Sequence, residues 1–147
     1  MITGVVKSGE GEPPVDESEL SQKLLREALV VLSLPPDEQV RVNGPGCLAC
    51  DLLNDFDHAR SVAFGDAAAL LSAEQRRLLD CILALVRSMQ EADFECFNEE
   101  VVRRPGWQQL RLLASQALRA FNWEDSSVEP YAEVEPGVWR RPPANTK

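Results

Sequence analysis

Hydrophobic positions along this chain recur mostly at helical spacing, and the clearest case is 72–91, SAEQRRLLDCILALVRSMQE. At about 100° per residue, Leu78, Leu79, Ile82, Leu83, Leu85, Val86 and Met89 share one broad side. Arg76, Arg77, Asp80, Arg87, Ser88 and Glu91 take the other. Ser72 followed by Gln75 forms a capping box: the hydroxyl accepts from a free backbone N–H and the amide side chain reaches back. The apolar stripe is wider than a two-helix seam requires, so the segment is expected to touch at least two neighbours and to organise the fold.

The same spacing predicts helices elsewhere. Over 17–33, Leu20, Leu24 and Ala28 share a side, with Asp16 and Glu19 as an acidic capping box and Val15 with Leu20 as a hydrophobic staple. The second half of that segment is apolar all round except for Ser33, which suits a surrounded helix or a buried strand. The period of the first half favours helix, and Pro35 and Pro36 end it. A connection follows over 35–46, in which 39–42 alternates like a short strand and 43–46 reads as a turn. Leu48, Leu52, Phe56 and Ala59 predict a helix over 47–60, and a linker over 61–71 carries one helical turn after Asp66. Phe94, Phe97 and Val101 suit one helical side, either prolonging the 72–91 helix or forming a short one of their own. Pro105 opens a last helix running to about Asn122, with Trp107, Leu110, Ala114, Ala117, Leu118 and Phe121 inward. Residues 132–139 suit a small hairpin or an extended tail against the body. Trp107, Trp123 and Trp139 are evenly spaced, but their surroundings do not match and no repeat is assigned.

The fold class expected is therefore all-α: a bundle of about four main helices with irregular N- and C-terminal tails. Residues 1–14 form a disordered tail, 15–124 the helical bundle domain, and 125–147 an extended tail packed on the bundle.

Charge changes the picture of partners. With 24 acidic against 15 basic side chains, the net charge of −9 opposes binding to nucleic acid or an anionic membrane and favours a basic protein partner. No stretch approaches the ~20 apolar residues of a membrane span, and the opening MITGVVKSGEGEPP lacks the pattern of a secretory signal. A cytoplasmic setting with free thiols is the expectation.

Four groups of residues have chemistry to weigh. Cys47 and Cys50 form a C-x-x-C at a helix start, where the helix N-terminus favours thiolate and either zinc binding or disulfide exchange becomes feasible. Cys81 and Cys96 are too distant in sequence to make a second such pair, so each is at most a lone ligand. Asp51, Asn54, Asp55 and His58 lie opposite the apolar stripe of the same helix, and with only one histidine in the chain they read as a solvated face. Glu91, Asp93, Glu95, Glu99 and Glu100, interleaved with Phe94 and Phe97, form an acidic surface suited to a basic partner, unless the phenylalanines enter the core. Leu112 and Trp123 make a second apolar stripe on the last helix, to be covered by Tyr131, Val134 and Trp139 of the tail, by a partner, or by a second copy of the chain. No nucleophilic triad, phosphate loop or paired-carboxylate cleft is legible, so no catalytic residue is assigned. The expected function is an acidic cytoplasmic protein-binding module that neutralises or regulates a basic partner. The alternative is a metal- or redox-dependent protein using Cys47 and Cys50.

Overall fold

The computed structural model describes residues 17–43, 46–63 and 71–140. Five α-helices carry the fold: α1 (Glu17–Ser33), α2 (Pro36–Asn43), α3 (Leu48–Ala63), α4 (Ala73–Ser88) and α5 (Pro105–Ala120). Two 3-10 helices, Glu91–Phe94 and Glu99–Arg103, bridge α4 to α5. An antiparallel hairpin of β1 (Ala132–Glu135) and β2 (Val138–Arg140) closes the described chain. It pairs Ala132 with Arg140 and Glu135 with Val138, with a register irregularity between Glu133 and Glu135. The all-α architecture and the hairpin agree with the hydrophobic pattern. The tail at 1–14, the Asp16 and Val15 capping contacts, the helical turn after Asp66 and the middle of the 43–46 turn lie outside the described residues.

α1 is the central element, packed against both α3 and α5. Its apolar second half is fully surrounded: Leu25, Leu29, Val30, Val31 and Leu32 are all buried, which is why a run without amphipathic period is nonetheless a helix. α3 contributes Leu48, Leu52, Phe56 and Ala59 to the same core, and α5 contributes Trp107, Leu110, Ala114 and Ala117. The capping box of α4 forms, with the Ser72 hydroxyl accepting from the Gln75 N–H at 3.1 Å and the Gln75 amide oxygen accepting from the Ser72 N–H at 2.9 Å. α4 is not the organiser that its stripe suggested. It lies on α5 and makes no comparably extensive contact with another described element. Leu78, Leu79 and Ile82 are buried, whereas Leu83, Leu85 and Val86 stay half-buried at the rim.

Within the connection expected over 35–46, Pro36–Asn43 is a helix. Pro36 occupies the first helical position, where its fixed φ and missing N–H cost nothing, and Asp37 and Glu38 complement the N-terminal dipole. Its inward side chains are Gln39, Val42 and Asn43, two of them polar, so hydrophobic spacing could not reveal it. The Gln39 amide donates to the carbonyls of Val31 and Leu32, both at 3.1 Å, and so caps the end of α1. Arg111 of α5 donates to Gln39 Oε1 at 3.3 Å and to the Val102 carbonyl at 2.7 Å, tying α1, α2, α5 and the second 3-10 helix together.

The segment over 91–101 does not prolong α4, and in place of one short helix it forms the two 3-10 helices. Asp93 accepts the Gln90 N–H at 2.8 Å, and Asn98 accepts the Glu100 N–H at 3.0 Å. These short side chains hold backbone donors that a continuous helix would need, and the segment breaks into two tight turns. The tail touches the bundle away from the second stripe of α5. Tyr131 donates its N–H to the Val42 carbonyl and lines a small cavity between α1 and α3, and Val128 is buried. Val134 and Trp139 remain exposed and Leu112 is 65% exposed, so this tail does not cover the second stripe of α5. Trp123 is half-buried, stacked on Phe121 with ring centroids 4.3 Å apart.

Candidate metal centre

α3 begins at Leu48, and its first helical bond runs from the Asp51 N–H to the Cys47 carbonyl at 2.8 Å. Cys47 thus sits at the cap and Cys50 in the first turn, three residues on and on the same side. Gly46, at φ 121°, permits this entry: a side chain there would be strained and its Cβ would strike the Asp51 carboxylate.

A third thiol comes from the far side of the sequence. Asp93 is 6% exposed and works as a fastener for the segment that carries it. One of its oxygens accepts from Arg104 Nε at 2.5 Å, and its carbonyl accepts from the buried Trp107 indole at 2.9 Å. Glu95 then accepts from the Asn98 amide at 2.6 Å, and Phe97 adopts φ 59°, closing a turn around Cys96. The result is that Cys47, Cys50 and Cys96 bring their sulfurs within 4.8 Å of one another, with Cys50 Sγ and Cys96 Sγ 3.6 Å apart. Four sulfurs tetrahedrally placed at ~2.3 Å from zinc would be about 3.8 Å apart. The cluster is already close to that spacing.

The three thiols are electrostatically unequal. Burial pushes the Cys47 thiol up, but hydrogen bonds from Cys96, from the Cys50 N–H and thiol, and from the Phe97 N–H outweigh it and hold Cys47 below the usual thiol range. The neighbouring Cys47 pushes Cys50 up. Cys96 is pushed up to about 12, first by Cys47 and then by Cys50. Cys47 is therefore the thiol of the three that gives up its proton most readily, and a cation that binds all of them must expel the protons that remain.

Among the proposed residues, Cys47 and Cys50 come together and Cys96, taken from sequence as a lone ligand at most, joins them. Its signal lay in the turn-forming Asn98 and in Asp93, the latter read as part of an acidic surface. Asp93 is a correction: it is buried and paired with Arg104, so it is no part of an acidic surface. Glu91, Glu95, Glu99 and Glu100 are exposed. Phe97 is 81% exposed, against the expectation that it shares an inward helical side with Phe94, which is half-buried. A groove beside Cys47 is lined by Val40, Asn43, Leu48, Phe97, Glu99 and Glu100; neither Leu112 nor Trp123 lines it. Asn54, Asp55 and His58 face solvent, and Asp51 accepts from the Asn43 amide at 3.2 Å. Cys81 is half-buried on α4 near Arg77, apart from the cluster. No described helix is long and apolar enough to cross a membrane. No family model matches the chain, and neither does any curated protein or solved structure compared with it.

Proposed function

We propose that this is a metal-binding helical protein in which Cys47, Cys50 and Cys96 hold a thiophilic divalent cation, zinc first, and that the metal fixes the 91–104 segment as a contact surface for a partner. The observation that carries the reading is the convergence of three thiols, from two separate segments, to within 4.8 Å. Free cysteines usually serve as small buried hydrophobes, a use that does not suit the exposed Cys96. Soft thiolates select zinc over magnesium or calcium. A disulfide role would engage two of the three sulfurs and require the 3.6 Å gap to close to about 2.05 Å, so it accounts for less of the arrangement. A reducing, cytoplasmic setting belongs to this reading, since thiolate ligands persist there.

The protein-binding reading has one specific support: Phe97 stands 81% exposed between the acidic side chains of Glu95, Glu99 and Glu100. A basic protein, rather than nucleic acid or a membrane, is the partner this surface suits. The test of the metal is direct. Protein purified under reducing conditions is loaded with zinc, desalted and measured for metal per chain. One zinc per chain is expected, lost in Cys47→Ser and in Cys96→Ser and kept in Cys81→Ser. Full retention in Cys96→Ser would reject the three-thiol site.

A further inference from the structure

The chain has four cysteines and one histidine, and all five are among the described residues. Three thiols form the cluster, while Cys81 lies beside Arg77 on α4 and His58 lies exposed on α3. No thiol or imidazole of the chain's own is left to complete four-coordination. Zinc sites with three protein ligands keep the fourth position for an exchangeable ligand.

Charge narrows what that ligand is. Three thiolates around a dication carry a net negative charge. Asp51 follows Cys50 directly, and the exposed Glu95, Glu99 and Glu100 flank the turn that holds Cys96. Another thiolate or a carboxylate would add negative charge to an already acidic corner of a chain with net charge −9, whereas a neutral nitrogen donor adds none. Access is open, since Cys96 is exposed and the groove lined by Leu48, Phe97, Glu99 and Glu100 runs beside Cys47.

Resting on the metal reading, we propose that the fourth position takes the imidazole of a histidine in a basic segment of a partner protein, seated along Phe97, Glu99 and Glu100. The aromatic side chain supplies contact area, the glutamates attract the flanking lysines or arginines, and the metal selects the histidine. The metal thereby becomes a bridge between two chains.

Cobalt(II) substituted for zinc reports its ligands through its d–d absorption. The cobalt-loaded protein is titrated in turn with N-methylimidazole, with azide, and with a short peptide carrying one histidine between lysines. The proposal expects imidazole and peptide to shift the bands while azide does not. The peptide should act at roughly tenfold lower concentration than N-methylimidazole, an advantage removed by combining Glu99→Lys with Glu100→Lys. Bands unmoved by either nitrogen donor, an equal response to azide, or a peptide no better than N-methylimidazole would each overturn it. So would a spectrum that changes with protein concentration alone, which would point to His58 of a second copy. Failure of cobalt to bind at all would instead reject the metal site.

Discussion

Asp93 makes more contacts than any other acid in its run. Its carboxylate holds the Gln90 N–H and Arg104, and its carbonyl holds the Trp107 indole. Burial pushes its carboxyl up, yet Arg104 and the Gln90 N–H prevail and keep it below the usual range. A carboxyl so depressed stabilises the fold above its unfolded pKa, and that stability is lost as pH falls below about 4. Asp93→Asn is expected to cost about 2 kcal/mol at neutral pH. The gap between variant and parent should narrow in urea titrations at pH 3, and a gap that stays constant would remove the ion pair as the cause. Phe97 is the reverse case, an exposed side chain on a backbone at φ 59° that suits glycine. Phe97→Gly should raise stability by roughly 0.5–1 kcal/mol, the strain relieved less the entropy glycine brings, while abolishing the peptide advantage described above. An unchanged denaturation midpoint would show that the turn is unstrained. None of this was legible in sequence. Asp93, Glu95 and Glu99 look alike in a row of letters, and only the turn around them separates a buried fastener from a solvated charge.

Elements whose burial rests on hydrophobic side chains at regular spacing were readable: α1, α3, α4 and α5 lie close to where Ala28, Leu52, Leu79 and Leu110 place them, although Leu20, put on the same side as Ala28, is exposed and Leu25 takes the inward place. α2 was not, because it buries an amide through hydrogen bonds rather than a stripe through area. Gln39→Met keeps the volume and removes the donor, leaving the Val31 and Leu32 carbonyls without it. A loss of about 1–3 kcal/mol is expected in thermal or chemical unfolding. A neutral result would mean that the end of α1 is satisfied by other groups. The width of the α4 stripe misled for a related reason. A broad apolar side can belong to a helix at the edge of a bundle, with its outer residues half-covered, as Leu83, Leu85 and Val86 are here.

For the whole molecule, a metal bound at the three thiols would be one more reason for the chain to remain folded. Zinc held only by the native state, at a hundred times its dissociation constant, adds about 2.7 kcal/mol, which should raise Tm by roughly 5–11 °C. The rise should disappear with chelator or in Cys96→Ser, and it should shrink as pH falls, because Cys50 and Cys96 hold protons that the metal must displace. An identical Tm with and without zinc would count against the site. The C-x-x-C was visible in sequence and the third thiol of the cluster was not, since spacing along a chain does not tell which distant turn comes back to meet a helix start. That return has a topological consequence. Cys50 and Cys96 are 46 residues apart, and the whole of α4 lies in the span between them. Loaded with metal, the chain is a closed ring from α3 to the turn at Cys96. A protease cut inside that ring would leave two pieces still joined through the metal.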